Sequence, residues 1–280
     1  IAEKDVYVFK NAPIELTNGA FGGGGREVQG GWQGGNPSAI PPMQYYLKDR
    51  LSTGDVSINI YDNQNKLVQN IPGTKRKGIN QVYWNLRMTP PKVASGGTKV
   101  DNSSFFAPMV LPGNYMMKLK VGDKEYTEPI TLVSDATNKN FTLADRKSQY
   151  KTAMDLYHLH EKLATFVDSI NKIQKGLKAS MATTADGEAK EFLTAYNGQL
   201  ETLRATLLPT VQTGMFADIE RLREKITSVY IAVSNQEAAP SNSQTANTTY
   251  LQNEEMKAEQ KFKTINTKYS AKAKAYMEKK

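Results

Sequence analysis

The chain has 280 residues, no cysteine and a formal net charge of +8. Its length suits two domains of ordinary size, and the missing thiols exclude disulfides, thiolate metal sites and cysteine nucleophiles. With 39% hydrophobic and 23% charged residues it has the composition of a folded protein, and no apolar run approaches the ~20 residues of a membrane helix, so no segment is expected to span a bilayer.

In chain order, "KDVYVFKNAP" reads as the end of a strand already under way, so the chain is expected to be a mature or truncated portion of something longer. Residues 17–42, "TNGAFGGGGREVQGGWQGGNPSAIPP", follow without any period of two or 3.6. So many glycines repay their ordering entropy only against another surface, so residues 1–44 are expected to be a strand end and a connecting arm. From 45 to 135 the period is two, with turn residues every eight to twelve positions. Val56, Ile58 and Ile60 share a face, as do Val82, Trp84 and Leu86, and Tyr115, Met117, Leu119 and Val121. Gly122-Asp123 is a two-residue hairpin turn, with Ile130 and Leu132 on the returning strand. This pattern predicts a small immunoglobulin-like antiparallel β-sandwich, without the cysteines of antibody domains.

Residues 141–280 change to helical spacing. Thr142 and Asp145 approximate a capping box. Leu156, Leu159, Leu163, Phe166, Ile170, Ile173 and Leu177 then advance by threes and fours, as do Leu193, Tyr196, Leu200, Leu203 and Leu207. Ile219, Leu222, Ile226, Val229 and Val233 form a third seam, and Leu251, Ala258, Phe262, Ile265, Tyr269 and Tyr276 a fourth. Four narrow apolar stripes predict an up-down four-helix bundle, so the whole chain is expected to be an α+β multidomain protein.

Residues suited to chemistry are sparse. His158 and His160, the only histidines, stand two apart, so on a helix they point away from each other and cannot share a metal; they are expected at the surface or its boundary. "GGGGRE" lacks the helix start that a phosphate cradle needs. Asp55, Asp62, Asp101, Asp123, Glu125 and Glu128 fall mostly in or beside turns, where no catalytic pair stands out. No nucleophile motif is present, and neither a metal nor a cofactor is expected. The lysines mix with glutamates and no recognition signature accompanies them, so nucleic acid is not an expected partner. The aromatics are more informative. Trp32, Tyr45, Tyr46, Tyr61 and Tyr83 can stack on sugar rings if exposed, with Arg87 projecting on the polar face of its strand. Trp84 alternates with Val82 and Leu86, which makes it a core residue.

"GNPSAIPPMQYYL", "DVSINIYDNQNKLVQNI", "GINQVYWNLRMTPP", "VLPGNYMMKLKVGDKEYTEPITLVSD" and "TLADRKSQY" occur in this order. The series resembles the carboxy-terminal region of secreted bacterial proteins with a sortilin-like, BNR-repeat β-propeller, often labelled glycosyl-hydrolase-like. The matching positions include Asn36, Pro37, Tyr45, Tyr46, Leu47, Gly78, Asn80, Trp84, Leu86, Arg87, Pro112, Gly113 and Tyr115. Ser38, Asn65 and Asn85 depart from the pattern. The resemblance implies a periplasmic, secreted or cell-surface location, and any catalytic site on a propeller that this chain lacks. The expected function is a non-catalytic accessory or scaffold module that supports a propeller or mediates protein contacts at the cell envelope. The alternatives are a glycan-binding module, or a fragment of a glycoside hydrolase; partner or glycan contacts are expected at Trp32, Tyr45, Tyr46, Tyr83 and Arg87.

Overall fold

A computed structural model describes residues 1, 3–16, 41–96, 106–136, 138–185, 187–210 and 219–278. The chain divides into two compact units. Ile1–Thr89 with Pro108–Tyr150 form a sheet unit, and Pro90–Ala107 with Lys151–Lys280 form a helical unit.

The sheet unit contains β1 (Val6–Val8), β2 (Ile14–Leu16), β3 (Met43–Leu47), β4 (Val56–Tyr61), β5 (Leu67–Pro72), β6 (Gly78–Val82), β7 (Gly113–Val121) and β8 (Lys124–Ser134). One sheet has the order β1-β3-β6, the other β2-β8-β7-β4-β5. The expected alternation is present: Val56, Ile58, Ile60, Met117, Leu119, Ile130 and Leu132 are all buried, and the β7–β8 hairpin turns on Gly122 at φ 58°. The Ig-like antiparallel sandwich is nevertheless overturned. The five-stranded sheet is mixed, because β2 runs parallel to β8, and it curls as a half-barrel. A register shift between Ile60 and Tyr61 breaks the β4–β5 ladder, and such irregularities bend a sheet. Period-two patterning decides which side chains face inward, and it carries no information on whether a three-residue strand runs parallel to its neighbour.

The helical unit takes most of α1 (Leu143–Met181), and all of α2 (Glu188–Leu207), α3 (Leu222–Asn235) and α4 (Asn242–Glu278). The expected seam positions are largely buried, including Leu156, Leu163, Ile170, Leu193, Leu200, Leu207, Ile226, Val233 and Leu251. Each fully buried leucine or isoleucine contributes ~1.5–3 kcal/mol. Ile219 lies outside α3 and is exposed.

The helices do not run up and down as four equal rods. Lys162 meets Glu255, and Phe166 packs edge-on to Phe262 at 5.2 Å, so α1 and α4 are parallel. Gln174 of α1 donates to Glu201 of α2, while His160 packs on Tyr230 of α3. Thus α2 and α3 follow one another against α1, opposite to it in direction. Lengths account for this arrangement. At 1.5 Å per residue α1 and α4 span about 58 and 56 Å, whereas α2 and α3 span about 30 and 21 Å and need to be laid end to end to match them.

Residues 90–96 and 106–107 belong to the helical unit although their neighbours in sequence are strands. Arg223, 1% exposed, donates from one guanidinium nitrogen to the carbonyls of Ala94 and Gly96, both at 2.8 Å, and pairs with Glu224. The Tyr230 hydroxyl donates to the Phe106 carbonyl at 3.0 Å. Gly96 has φ 141°, a conformation that favours glycine, and a Cβ there would stand 2.6 Å from Leu208 Cδ1 and displace the end of that side chain.

Candidate interaction surfaces

The expected contact residues do not converge. Trp32 lies outside the described residues. Tyr45 and Tyr46 are adjacent on β3 and therefore face opposite ways. Tyr45 points inward, and its hydroxyl donates to the Thr74 carbonyl at 2.6 Å; burial pushes its pKa up. Tyr46 points outward, in register with Tyr7 on one side and Ile79 on the other. Phe9 meets Tyr7 edge-on at 5.2 Å, and Gln44 and Gln81 form the neighbouring pair. Ile79 and Tyr83 are 62% and 54% exposed. One face of the three-stranded sheet therefore carries aromatic rings next to amide side chains. Tyr61, on the other sheet, lies under the ammonium of Lys118.

Arg87 corrects the sequence expectation, because it is buried rather than projecting on a polar face. The β6 ladder ends at Val82, and the chain then turns through Leu86 at φ 57°, with the Asn85 side-chain oxygen accepting the Arg87 backbone N–H at 3.1 Å. This left-handed step breaks the alternation on which the expectation rested. Trp84 is a core residue, 2% exposed; its indole N–H donates to the Arg87 carbonyl at 2.9 Å and its ring packs edge-on to Tyr115.

Asn80 closes the preceding turn. Its amide nitrogen donates to the carbonyls of Arg76 and Gly78, and its oxygen accepts from the Thr74 hydroxyl and the Arg76 backbone. Four bonds saturate a buried amide. Gly78, Asn80, Trp84 and Leu86 thus have structural work and present no reactive group.

In the helical unit the spacing of polar residues within seams marks two positions. His158 is exposed and lies 3.2 Å from Glu161. His160 corrects the expectation of a surface or boundary histidine: it is completely buried, edge-on to Tyr230 at 5.5 Å. Glu255 is also completely buried, four residues after Leu251 and three before Ala258. One of its oxygens accepts from Lys162 Nζ at 2.5 Å, and the other has no hydrogen-bond partner. Removal from water raises the Glu255 pKa and outweighs the pull of Lys162, while nearby Glu259 raises it further. For Lys162 burial opposes protonation, but its bonds to Glu255 and Glu259 prevail and hold its pKa up. Glu255 and His160 replace seam carbon with polar atoms, a signal that the spacing of threes and fours contains.

Beyond Lys162 an open groove runs between the parallel helices α1 and α4. Its wider part, ≈ 750 Å³, is lined by Ile173, Gly176, Leu177, Phe262, Ala273 and Met277, with Tyr196 of α2 also contributing. A second hollow of ≈ 420 Å³ continues it past Phe166 and Glu259, sharing Ser169, Phe262 and Asn266. The Tyr196 hydroxyl donates to the Asn266 side-chain oxygen, and Tyr196 stacks on Tyr269 at 5.2 Å. The surface is carbon-rich and shaped to receive apolar side chains.

Among the described residues no group of three or more histidines, aspartates and glutamates comes together to hold a metal ion. No described helix is long and apolar enough to cross a membrane. No family model matches the chain, and no curated protein or solved structure matches it either.

Proposed function

We propose that this chain is a non-catalytic interaction module that mediates protein contacts at the bacterial cell envelope, as an accessory to a β-propeller of the sortilin-like, BNR-repeat kind. The groove between α1 and α4 carries the protein-contact reading. It offers a predominantly apolar lining in an open channel, with Tyr196 and Asn266 bonded to each other. The residue pattern from Asn36 to Tyr115 supports the propeller connection and, with it, an exported protein.

A second reading, glycan binding, is favoured by the row Tyr7, Tyr46 and Ile79 beside Gln44 and Gln81. Aromatic faces stack on sugar rings, and amides match hydroxyl groups in both donor and acceptor roles. Isothermal titration against a panel of polysaccharides separates the two: the protein-contact module gives no saturable heat. Saturable heat that disappears in Tyr46→Ala would transfer the function to the sheet face. Turnover of glycoside or peptide substrates, abolished by one acid-to-amide change, would overturn both.

A further inference from the structure

We propose that the α1/α4 groove is the docking site for an acidic amphipathic helix of a protein partner; this rests on the protein-contact reading above. Two parallel rods leave a straight channel between them, and a third helix settles into such a channel at an interaxial distance of about 8–10 Å. Small residues permit that approach. Ser169 and Gly176 lie on the α1 wall, Ser270 and Ala273 on the α4 wall. From Glu259 to Glu278 the channel measures about 28 Å, which accommodates about 18 helical residues. Apolar side chains at i, i+3, i+4 and i+7 of the incoming helix would meet Phe166, Ile173, Phe262 and Met277.

Charge selects the partner. Lys172, Lys263 and Lys274 edge the channel, against Glu259 and Glu278. Glu259 is engaged by Lys162 at 3.1 Å and Glu278 by Lys274 at 3.6 Å, whereas Lys172 and Lys263 have no carboxylate partner among the described residues. Farther out, α4 adds Lys261 and Lys268 and α1 adds Lys175 and Lys178, while Lys257 is paired with Glu254, Lys272 with Glu188 and Asp168 with Lys92. Carboxylates flanking the apolar stripe of the incoming helix complement this field. A second copy of the chain would present the same lysines to one another and is disfavoured.

The test is fluorescence anisotropy of a labelled synthetic helix of about 18 residues, with leucines on one face and glutamates on the flanks, titrated with the whole chain. Saturable binding is expected, weakened at least about tenfold between about 50 and 500 mM salt. Gly176→Leu should also weaken it at least about tenfold, by filling the channel from a helical position where leucine has the better propensity. Lys172→Glu combined with Lys263→Glu should act as strongly, and circular dichroism should show both variants folded. The proposal is overturned by absence of saturable binding, by equal binding of a lysine-flanked helix, or by undiminished binding to Gly176→Leu. A dimer in light scattering that Gly176→Leu dissociates would overturn it in favour of a second copy. Preferential sedimentation with vesicles of phosphatidylcholine and phosphatidylglycerol would do so in favour of a membrane. None of these outcomes measures turnover or glycan heat, so the general function and this inference fail separately.

Discussion

Asn80 of the sheet unit and Glu255 of the helical unit are both buried, and their polar atoms are satisfied to different degrees. In the sheet unit Asn80 has four hydrogen bonds and the Trp84 indole N–H has its carbonyl, so each polar group is fixed where it lies. In the helical unit Glu255 is equally buried, yet one oxygen lacks a partner and its charge is opposed by burial. A saturated amide contributes to a single well-defined turn, whereas an undersatisfied carboxylate makes stability depend on the solution. The first behaves as a fixed plug and the second as a proton-sensitive joint.

The sharpest way to break the comparison is at Arg223, the most buried cation among the described residues of the helical unit. Arg223→Met should cost about 3–5 kcal/mol, because Glu224 and the carbonyls of Ala94 and Gly96 lose their donor. Urea unfolding followed by helical circular dichroism should register the loss, with Trp84 emission from the sheet unit, read in a Trp32→Phe background, nearly unmoved. Asn80→Ala should reverse that pattern, costing about 1–3 kcal/mol in the Trp84 transition through the groups left unpaired.

Glu255→Gln separates the two units by pH. The folded-state pKa of Glu255 is raised, so stability from this group is gained as pH falls through the folded value and levels off below the ordinary 4.5. Glu201 has the opposite sign: Arg204 and Gln174 hold its pKa down, and its contribution is lost as pH falls below the ordinary value. Helical stability should therefore peak in the mildly acidic range. Glu255→Gln should flatten the flank above that peak, and thermal melts from pH 4.5 to neutrality measure it. The smallest effect is expected from Thr142→Ala. It removes the hydroxyl that accepts the Asp145 backbone N–H at 3.1 Å and should lower stability by about 1 kcal/mol, seen in the melting temperature.

Local periodicity made much of this molecule legible. Leu193, Tyr196, Leu200, Leu203 and Leu207 are the buried residues of α2, because apolar spacing along one helix is a local property. The Gly122 turn and the inward faces of β4, β7 and β8 were legible for the same reason. Strand polarity and helix direction were not. The pairing of Ile14 with Leu132 and of Lys162 with Glu255 depends on distant parts of the chain that no window of sequence joins. Burial of Arg87 escaped because one left-handed residue, Leu86, cancels the alternation. At the groove the seam residues were readable, but the channel is produced by parallel packing of α1 and α4, which spacing within either helix does not specify.

The parallel arrangement of α1 and α4 has a consequence for biosynthesis. Lys162 and Glu255 are 93 residues apart in sequence, which at about 5–20 residues per second separates their emergence from the ribosome by roughly 5–20 seconds. In that interval α1 and α2 can form their hairpin, but the Phe166 ring must wait for Phe262. Nascent chains halted before Asn242 should accordingly be sticky and dependent on chaperones, and their release should coincide with completion of the final helix.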